Sequence, residues 1–304
     1  MRTLVLNQSN IVPDGQNNKL TYSFPNSVLF KNSYVAVSSV SMYYSWFNIS
    51  QLFNNNRFSY TWTQGTTTTT YDVLIPDGIY EITTLNTFLQ FTFIQNGTYL
   101  VNTSSGTNTY YAEFILNPSR YAVQLHTYLV PTSFTGFTAP INITTGIALV
   151  PPTQTFNPAL TIPPNLSTII GFIPNFVSSS NTNNSFTPPS GDQYVAKNTL
   201  TGTISYISTS APNVQPNSSI LISCSSVDNP YAQPTSIIYS ITPSVAVGSI
   251  ISEKPPAFMW NKLIDGTYNQ LRITILGTNL QPIKVNDPAI TIVLVITEKG
   301  EMGF

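Results

Sequence analysis

Ile290-Thr-Ile-Val-Leu-Val-Ile-Thr297 is apolar at nearly every position. A strand exposed on one face alternates polar and apolar residues. A β-branched run without that alternation predicts a strand buried on both faces. Four more runs precede it after residue 200: Thr203–Ile207, Ser219–Ser225, Ser236–Thr242 and Leu271–Leu276. Before residue 76, Leu20–Phe24 alternates and stops at Pro25-Asn26. Tyr34–Tyr43 alternates through Val35 and Val37, then through Val40 and Met42, and the change of phase at Ser38-Ser39 predicts a bulge. Arg57–Trp62 follows, then a Thr-rich hairpin at Gly65–Thr70, then Tyr71–Ile75 before the turn Pro76-Asp77-Gly78. Three early and five late strands make eight, the number in a jelly roll. The reading is an all-β chain: a single eight-stranded jelly roll from residues 1–76 plus 200–304, with a large, mostly-β inserted domain at 77–199.

Inside the insertion, Thr83 to about Phe93 reads as a helix with Leu85, Phe88 and Leu89 on one face and Thr83 or Thr84 as N-cap. A strand competes, because Leu89, Phe91 and Phe93 also alternate; the helix is favoured. Tyr99–Val101, Tyr110–Leu116 and Tyr121–Leu129 read as strands. From Val130 to Gly191 the pattern fades into proline-punctuated loops with one short apolar run, Ser167–Ile173. Between Tyr121 and Gly191 the sole titratable side chains apart from tyrosines belong to His126. Such a stretch stays in water through hydroxyls and amides, and it lacks the ionisable groups from which most catalytic, metal and phosphate sites are built.

The whole chain shares this bias. Charged residues make up 8% of 304, against roughly 25% in an average soluble protein. Hydrophobic residues reach 41%, with 17 Tyr and 17 Phe, so the chain is not disordered. The formal net charge is −1 and lysine and arginine form no cluster, which leaves counterion release almost nothing to work with and argues against direct nucleic-acid binding. No apolar run approaches the ~20 residues that span a bilayer, and Met1–Leu6 is too short for a signal peptide. Sequons at Asn48, Asn96, Asn142 and Asn217 are expected by chance in so Asn-, Ser- and Thr-rich a chain.

Candidates for chemistry are few. Cys224, the single cysteine, sits in an apolar run and reads as a buried small hydrophobe. His126, the single histidine, shares its strand phase with Gln124 and Tyr128 and reads as a solvent-side or interface residue. Asp14-Gly15, Asp77-Gly78 and Asp265-Gly266 carry turn chemistry rather than calcium ligation. No catalytic, cofactor-binding or metal-binding set emerges, and the chain reads as a non-enzyme without cofactors. A hydrolase would need a carboxylate pair, with Glu113 and Asp192 the first to substitute. What remains is surface. Tyr43-Tyr44-Ser45-Trp46-Phe47 and Phe258-Met259-Trp260 concentrate aromatics as interface centres do, making Tyr43, Tyr44, Trp46, Phe47, Phe258 and Trp260 candidate contact residues, although a core would also use them.

Four segments carry a family resemblance: Ile75–Gln90, Tyr110–Gln124, Pro216–Pro230, and Leu271–Ile275 with Val285–Ile290. Together they resemble the penton, or minor capsid, proteins of virophages and related polinton-like DNA viruses. The resemblance implies a jelly roll standing roughly perpendicular to a capsid surface, five copies closing each icosahedral vertex, and an extra domain inserted between the fourth and fifth strands. It implies two partners, other copies of the chain and a neighbouring double-jelly-roll major capsid protein. It also implies a virion location after assembly in host cytoplasm. The alternative function is a jelly-roll module that binds a host receptor or glycan through the inserted domain.

Overall fold

The computed structural model describes residues 1–143, 145–178, 200, 202–214 and 217–301. The chain divides into two units, Met1–Phe47 with Gln215–Phe304, and Asn48–Val214.

The first unit contains β1 (Arg2–Leu6), β2 (Lys19–Phe30), β3 (Ser33–Tyr43), β4 (Ile220–Cys224), β5 (Ile237–Ile241), β6 (Ile250–Glu253), β7 (Gly266–Gly277) and β8 (Thr291–Glu298). They form two sheets, in the orders β1-β8-β3-β6 and β5-β4-β7-β2. All of these pairings are antiparallel. This alternation of early and late strands between two sheets is the eight-stranded jelly roll. A short piece, Asn261–Lys262, extends the flank of β3 beyond β6.

Alternation explains the core. Leu4 and Leu6, Val35 and Val37, Ile292, Leu294 and Ile296 from the first sheet share one apolar cluster with Leu20, Ile220, Ile222, Cys224, Leu271, Ile273 and Ile275 from the second. In β3 the register skips one residue: Val293 pairs with Ser39 and Leu294 with Val37, leaving Ser38 bulged. Without that extra residue either Val35 and Val37 or Val40 and Met42 would point away from the core. The bulge lies where the phase change placed it. Along the far flank, Asn261 Nδ2 donates to Ile238 O at 3.2 Å and the Tyr239 hydroxyl donates to Glu253 Oε1 at 3.0 Å, tying the two sheets together.

Two strands expected in the roll lie elsewhere. Arg57–Gln64 pairs with Thr67–Leu74 and Leu160–Ile162, and Ile204–Ile207 pairs with Ala122–Thr127; all belong to the second unit. Their places in the roll are taken by β1 and β6, which have five and four residues and so too little periodicity to announce themselves. The boundaries accordingly fall at Phe47/Asn48 and Val214/Gln215 rather than at 76/77 and 199/200. The insertion leaves the roll between its third and fourth strands, not its fourth and fifth.

In the second unit, helix α1 (Ile82–Asn96) buries Ile82, Leu85, Leu89 and Phe93 while Phe91 is 51% exposed, a helical pattern that settles the competition with a strand. Its N-cap is Glu81, with no side-chain cap bond, so Thr83 and Thr84 lie in the first turn instead of capping it. It ends at Gly97, whose φ of 65° allows the Gly97 and Thr98 amides to fold back on the Ile94 and Phe93 carbonyls. Three small antiparallel sheets surround an aromatic core that includes Tyr60, Trp62, Phe93, Tyr111, Tyr128 and Phe176. Within the proline-rich stretch, Pro164–Ile170 forms α2 with Pro164 in its first turn, a position where the missing amide costs nothing.

Candidate contact face

The side of the first sheet turned away from the core is built by register. Val5, Val293 and Ser39 form one cross-strand row, and Thr291, Ser41 and Ser252 the next. Val5 is 46% exposed, Val293 and Ser39 are half-buried, and Ser41 and Ser252 are exposed. These rows carry hydroxyls and branched aliphatics and no charge. At their end, Asn7, Gln8, Ser41, Tyr43, Ile250 and Thr291 line an uncharged cleft of about 920 Å³. The outer face of the second sheet differs, since Lys19 and Arg272 stand on it. The Ile290–Thr297 run is thus buried toward the core through Ile292, Leu294 and Ile296, and on its other side Val295 and Thr297 are buried while Val293 is only partly covered by its own chain.

The six aromatic candidates separate. Tyr44 and Trp46 are core residues, 6% and 5% exposed, their ring centroids 4.2 Å apart, and neither is available to a partner. Tyr43 is half-buried at the cleft, and half-buried Phe47 lies 6.0 Å from the Lys284 ammonium. Phe258 and Met259 are 42% and 62% exposed, with half-buried Trp260 packed on Phe258 at 5.3 Å. The rows at Val5, Val293 and Ser41 were not singled out from sequence. The signal lay in the second apolar phase of β8, where Val295 is buried by the chain itself and Val293 is left half-buried.

His126 is not at the surface. Its ring is fully buried, Nδ1 lies 2.6 Å from Ser205 Oγ, and Nε2 has no partner. Burial lowers its pKa to about 4. Solvent-side placement fails because β-strand phase alone cannot say which face a second layer covers. Across the strand pair Glu113 stands opposite His126, and its carboxylate accepts from the Tyr128 hydroxyl. Ser205, His126 and Glu113 therefore share a row in which His126 and Ser205 are buried and Glu113 is half-buried. Asp192 lies outside the described residues. Cys224 is buried, and burial pushes its thiol up to about 11, far from thiolate reactivity.

The remaining polar candidates serve structure. Asp77 Oδ1 accepts the Gln51 amide at 2.8 Å and Asp265 Oδ1 the Asn32 amide at 2.9 Å, while Asp14 pairs with Lys19 at 2.9 Å. Among the described residues no three His, Cys, Asp or Glu side chains gather as a metal site. Nor, among them, is any helix long and apolar enough to cross a membrane. Two sequon asparagines are engaged, Asn96 Nδ2 donating to Tyr60 OH at 2.8 Å and Asn142 Nδ2 to Asn96 O at 2.7 Å, and a third, Asn217, is buried.

No family model matches the chain, and no curated protein matches it. Among solved structures it is similar to the mavirus penton protein, at 10% identity and a TM-score of 0.38 over 97% of this chain and 98% of that one. It is also similar to the Sputnik virophage structure determined by cryo-EM, at 12% identity and a TM-score of 0.36 over the full length of both.

Proposed function

We propose that this chain is a structural capsid protein whose copies form homopentamers at the five-fold vertices of an icosahedral double-stranded DNA virus. The observation that carries this reading is a pair of uncharged rows on the outer face of the first sheet, where Val5 and Val293 stand among serine and threonine hydroxyls with exposed Ile250 beside them. A sheet facing water on one side ordinarily presents charge there; this one presents what a partner's backbone and side chains pack against. The resemblance of Ile75–Gln90, Tyr110–Gln124, Pro216–Pro230 and Leu271–Ile290 to penton sequences supplies the symmetry. Each copy offers one patch to the next, and the ring closes when the rotation between copies is a fifth of a turn. The neighbouring major capsid protein is the second partner in this reading, and the virion its location.

The mass of the purified full-length chain in solution tests it. Five times the 33.4 kDa protomer is expected; a monomer at every concentration overturns the reading. A receptor- or glycan-binding role has one observation in its favour. Tyr80, just ahead of α1, and Phe88 and Phe91 on it form an aromatic ladder with centroid steps of 6.3 and 6.1 Å, a surface on which sugar rings stack. A glycan array probed with the full chain decides it, since uniform silence removes the glycan.

A further inference from the structure

The ribbon of Arg57–Gln64 with Thr67–Leu74, flanked by Leu160–Ile162, buries one phase of its side chains and shows the other. Phe58, Tyr60, Trp62 and Val73 enter the core of the second unit. On the opposite face the register sets Thr161, Ser59 and Asp72 in one cross-strand row, and Arg57 and Leu74 in the next. Those five and Pro163 line a cleft of about 410 Å³, within the range of about 300–1,000 Å³ that small ligands occupy. We infer that this cleft binds a carboxylated sugar, with the Arg57 guanidinium on the carboxylate and Ser59, Thr161 and Asp72 on the ring hydroxyls.

The polar groups of the cleft are unengaged. Among the described residues, the side chains of Arg57, Ser59, Asp72 and Thr161 form no hydrogen bond or ion pair with another residue. Elsewhere on the same face the hydroxyls do pair: Thr61 Oγ1 accepts the Ala159 amide at 3.2 Å, and the Thr63 and Thr68 hydroxyls lie 2.9 Å apart. Charge is also scarce here. Among the described residues of the second unit, lysine and arginine reduce to Arg57 and Arg120. Arg57 and Asp72 stand diagonally across the ribbon, a spacing of about 7–8 Å between such neighbours. The cleft thus holds a fork that only donates, a carboxylate that only accepts, and two hydroxyls that do both.

That set selects the ligand. A planar guanidinium takes a carboxylate through two parallel N–H···O bonds, while Asp72 calls for hydroxyl donors and repels a second anionic group. A polyanion is therefore excluded, and a neutral sugar would strip water from Arg57 without replacing it. Leu74, 60% exposed, and half-buried Pro163 offer apolar surface to the C–H face of a ring. A peptide is less well matched, because an extended backbone adds to the edge of a sheet and this cleft lies on the face of one.

Calorimetric titration of the full-length chain with sialyllactose, trigalacturonic acid and lactose tests this. At least one acidic sugar should bind and lactose should not; which acidic sugar binds separates a sialic acid from a uronic acid as the source of the carboxylate. Arg57→Gln should lower the affinity about tenfold or more, and Arg57→Lys, which keeps the charge and loses the fork, should fall between. Asp72→Asn should weaken binding as well. Arg57 and Asp72 are exposed, so thermal unfolding should stay in place in all three variants. Arg120→Gln is the control and should bind as the wild type does. Silence from both acidic sugars, equal binding of lactose, preference for a tetra-alanine peptide, wild-type affinity in Arg57→Gln, or an equal loss in Arg120→Gln would overturn the proposal. The readout is independent of the pentamer, and a sugar stacked on the Tyr80–Phe88–Phe91 ladder would be indifferent to Arg57→Gln.

Discussion

Asn48 Nδ2 donates to the carbonyl oxygen of Val214 at 2.7 Å, so the first and last residues of the inserted unit are clasped by one side chain. The same amide donates to Tyr80 O at 2.8 Å, and Asn48 Oδ1 accepts from Tyr80 N at 2.9 Å. Asn48 is 5% exposed, and truncating it strands three backbone groups at once. Buried groups left unpaired cost about 1–3 kcal/mol each, with partial relief from water at the clasp. Asn48→Ala should therefore destabilise the second unit by about 3 kcal/mol in chemical unfolding. A loss under 1 kcal/mol would show that the clasp is ornamental.

An insertion whose ends meet tolerates excision. The segment 48–214 expressed alone should give one cooperative thermal transition, and Asn48→Ala should lower its midpoint. A segment that stays unfolded would mean that the second unit depends on the roll.

His126 makes the second unit acid-sensitive. Its pKa falls from 6.5 in the unfolded chain to about 4 in the folded one because burial disfavours the imidazolium. The second proton would also find no acceptor at Nε2. The unfolded state thus binds a proton between these values while the folded state does not. Stability is full above pH 6.5, declines as the pH falls toward 4, and is flat with respect to this group below that. The total loss is roughly 3 kcal/mol. Glu113 across the strand, Tyr128 stacked at 6.4 Å and the Ser205 hydroxyl are the groups facing the ring. In His126→Gln the slope attributable to this group should vanish from unfolding curves taken across that range; an unchanged slope would assign it elsewhere.

Much of the roll was legible because its strands are long and its phases clean. The bulge at Ser38 and the apolar run of β8 both translate directly into structure. The boundaries were not legible, since Arg57–Gln64 alternates as well as any roll strand and only its pairing with Thr67–Leu74 and Leu160–Ile162 assigns it to the insertion. Pairing is a long-range property that a local pattern does not encode. The aromatic candidates show the same limit. Tyr44 and Trp46 alternate with Tyr43 and Phe47, and sequence identifies the alternation without saying which phase the core takes. The buried position of His126 depends on the layer lying over its strand, which no residue near it in sequence announces.

The contact face makes the strongest demand on experiment. Its two rows, Val5–Val293–Ser39 and Thr291–Ser41–Ser252, are uncharged, and Ser41 and Ser252 project into solvent, so a long cation placed there disturbs nothing inside the roll. Ser41→Arg should leave thermal unfolding of the protomer within about 0.5 kcal/mol of wild type, as surface changes do. It should nevertheless abolish the oligomer in solution, because a desolvated unpaired charge costs far more than one contact returns. Ser23→Arg, at an exposed serine on the outer face of the second sheet opposite Gln270, serves as the matched control and should assemble normally. Contacts built from apolar burial and uncharged hydrogen bonds are not screened by salt. The wild-type oligomer should therefore keep its mass from low salt to about 1 M. Dissociation by salt alone would mean that charged ends of the sheet, around Arg2, Lys262 and Glu298, hold the copies together instead. Assembly of Ser41→Arg at wild-type strength would remove this face from the interface altogether.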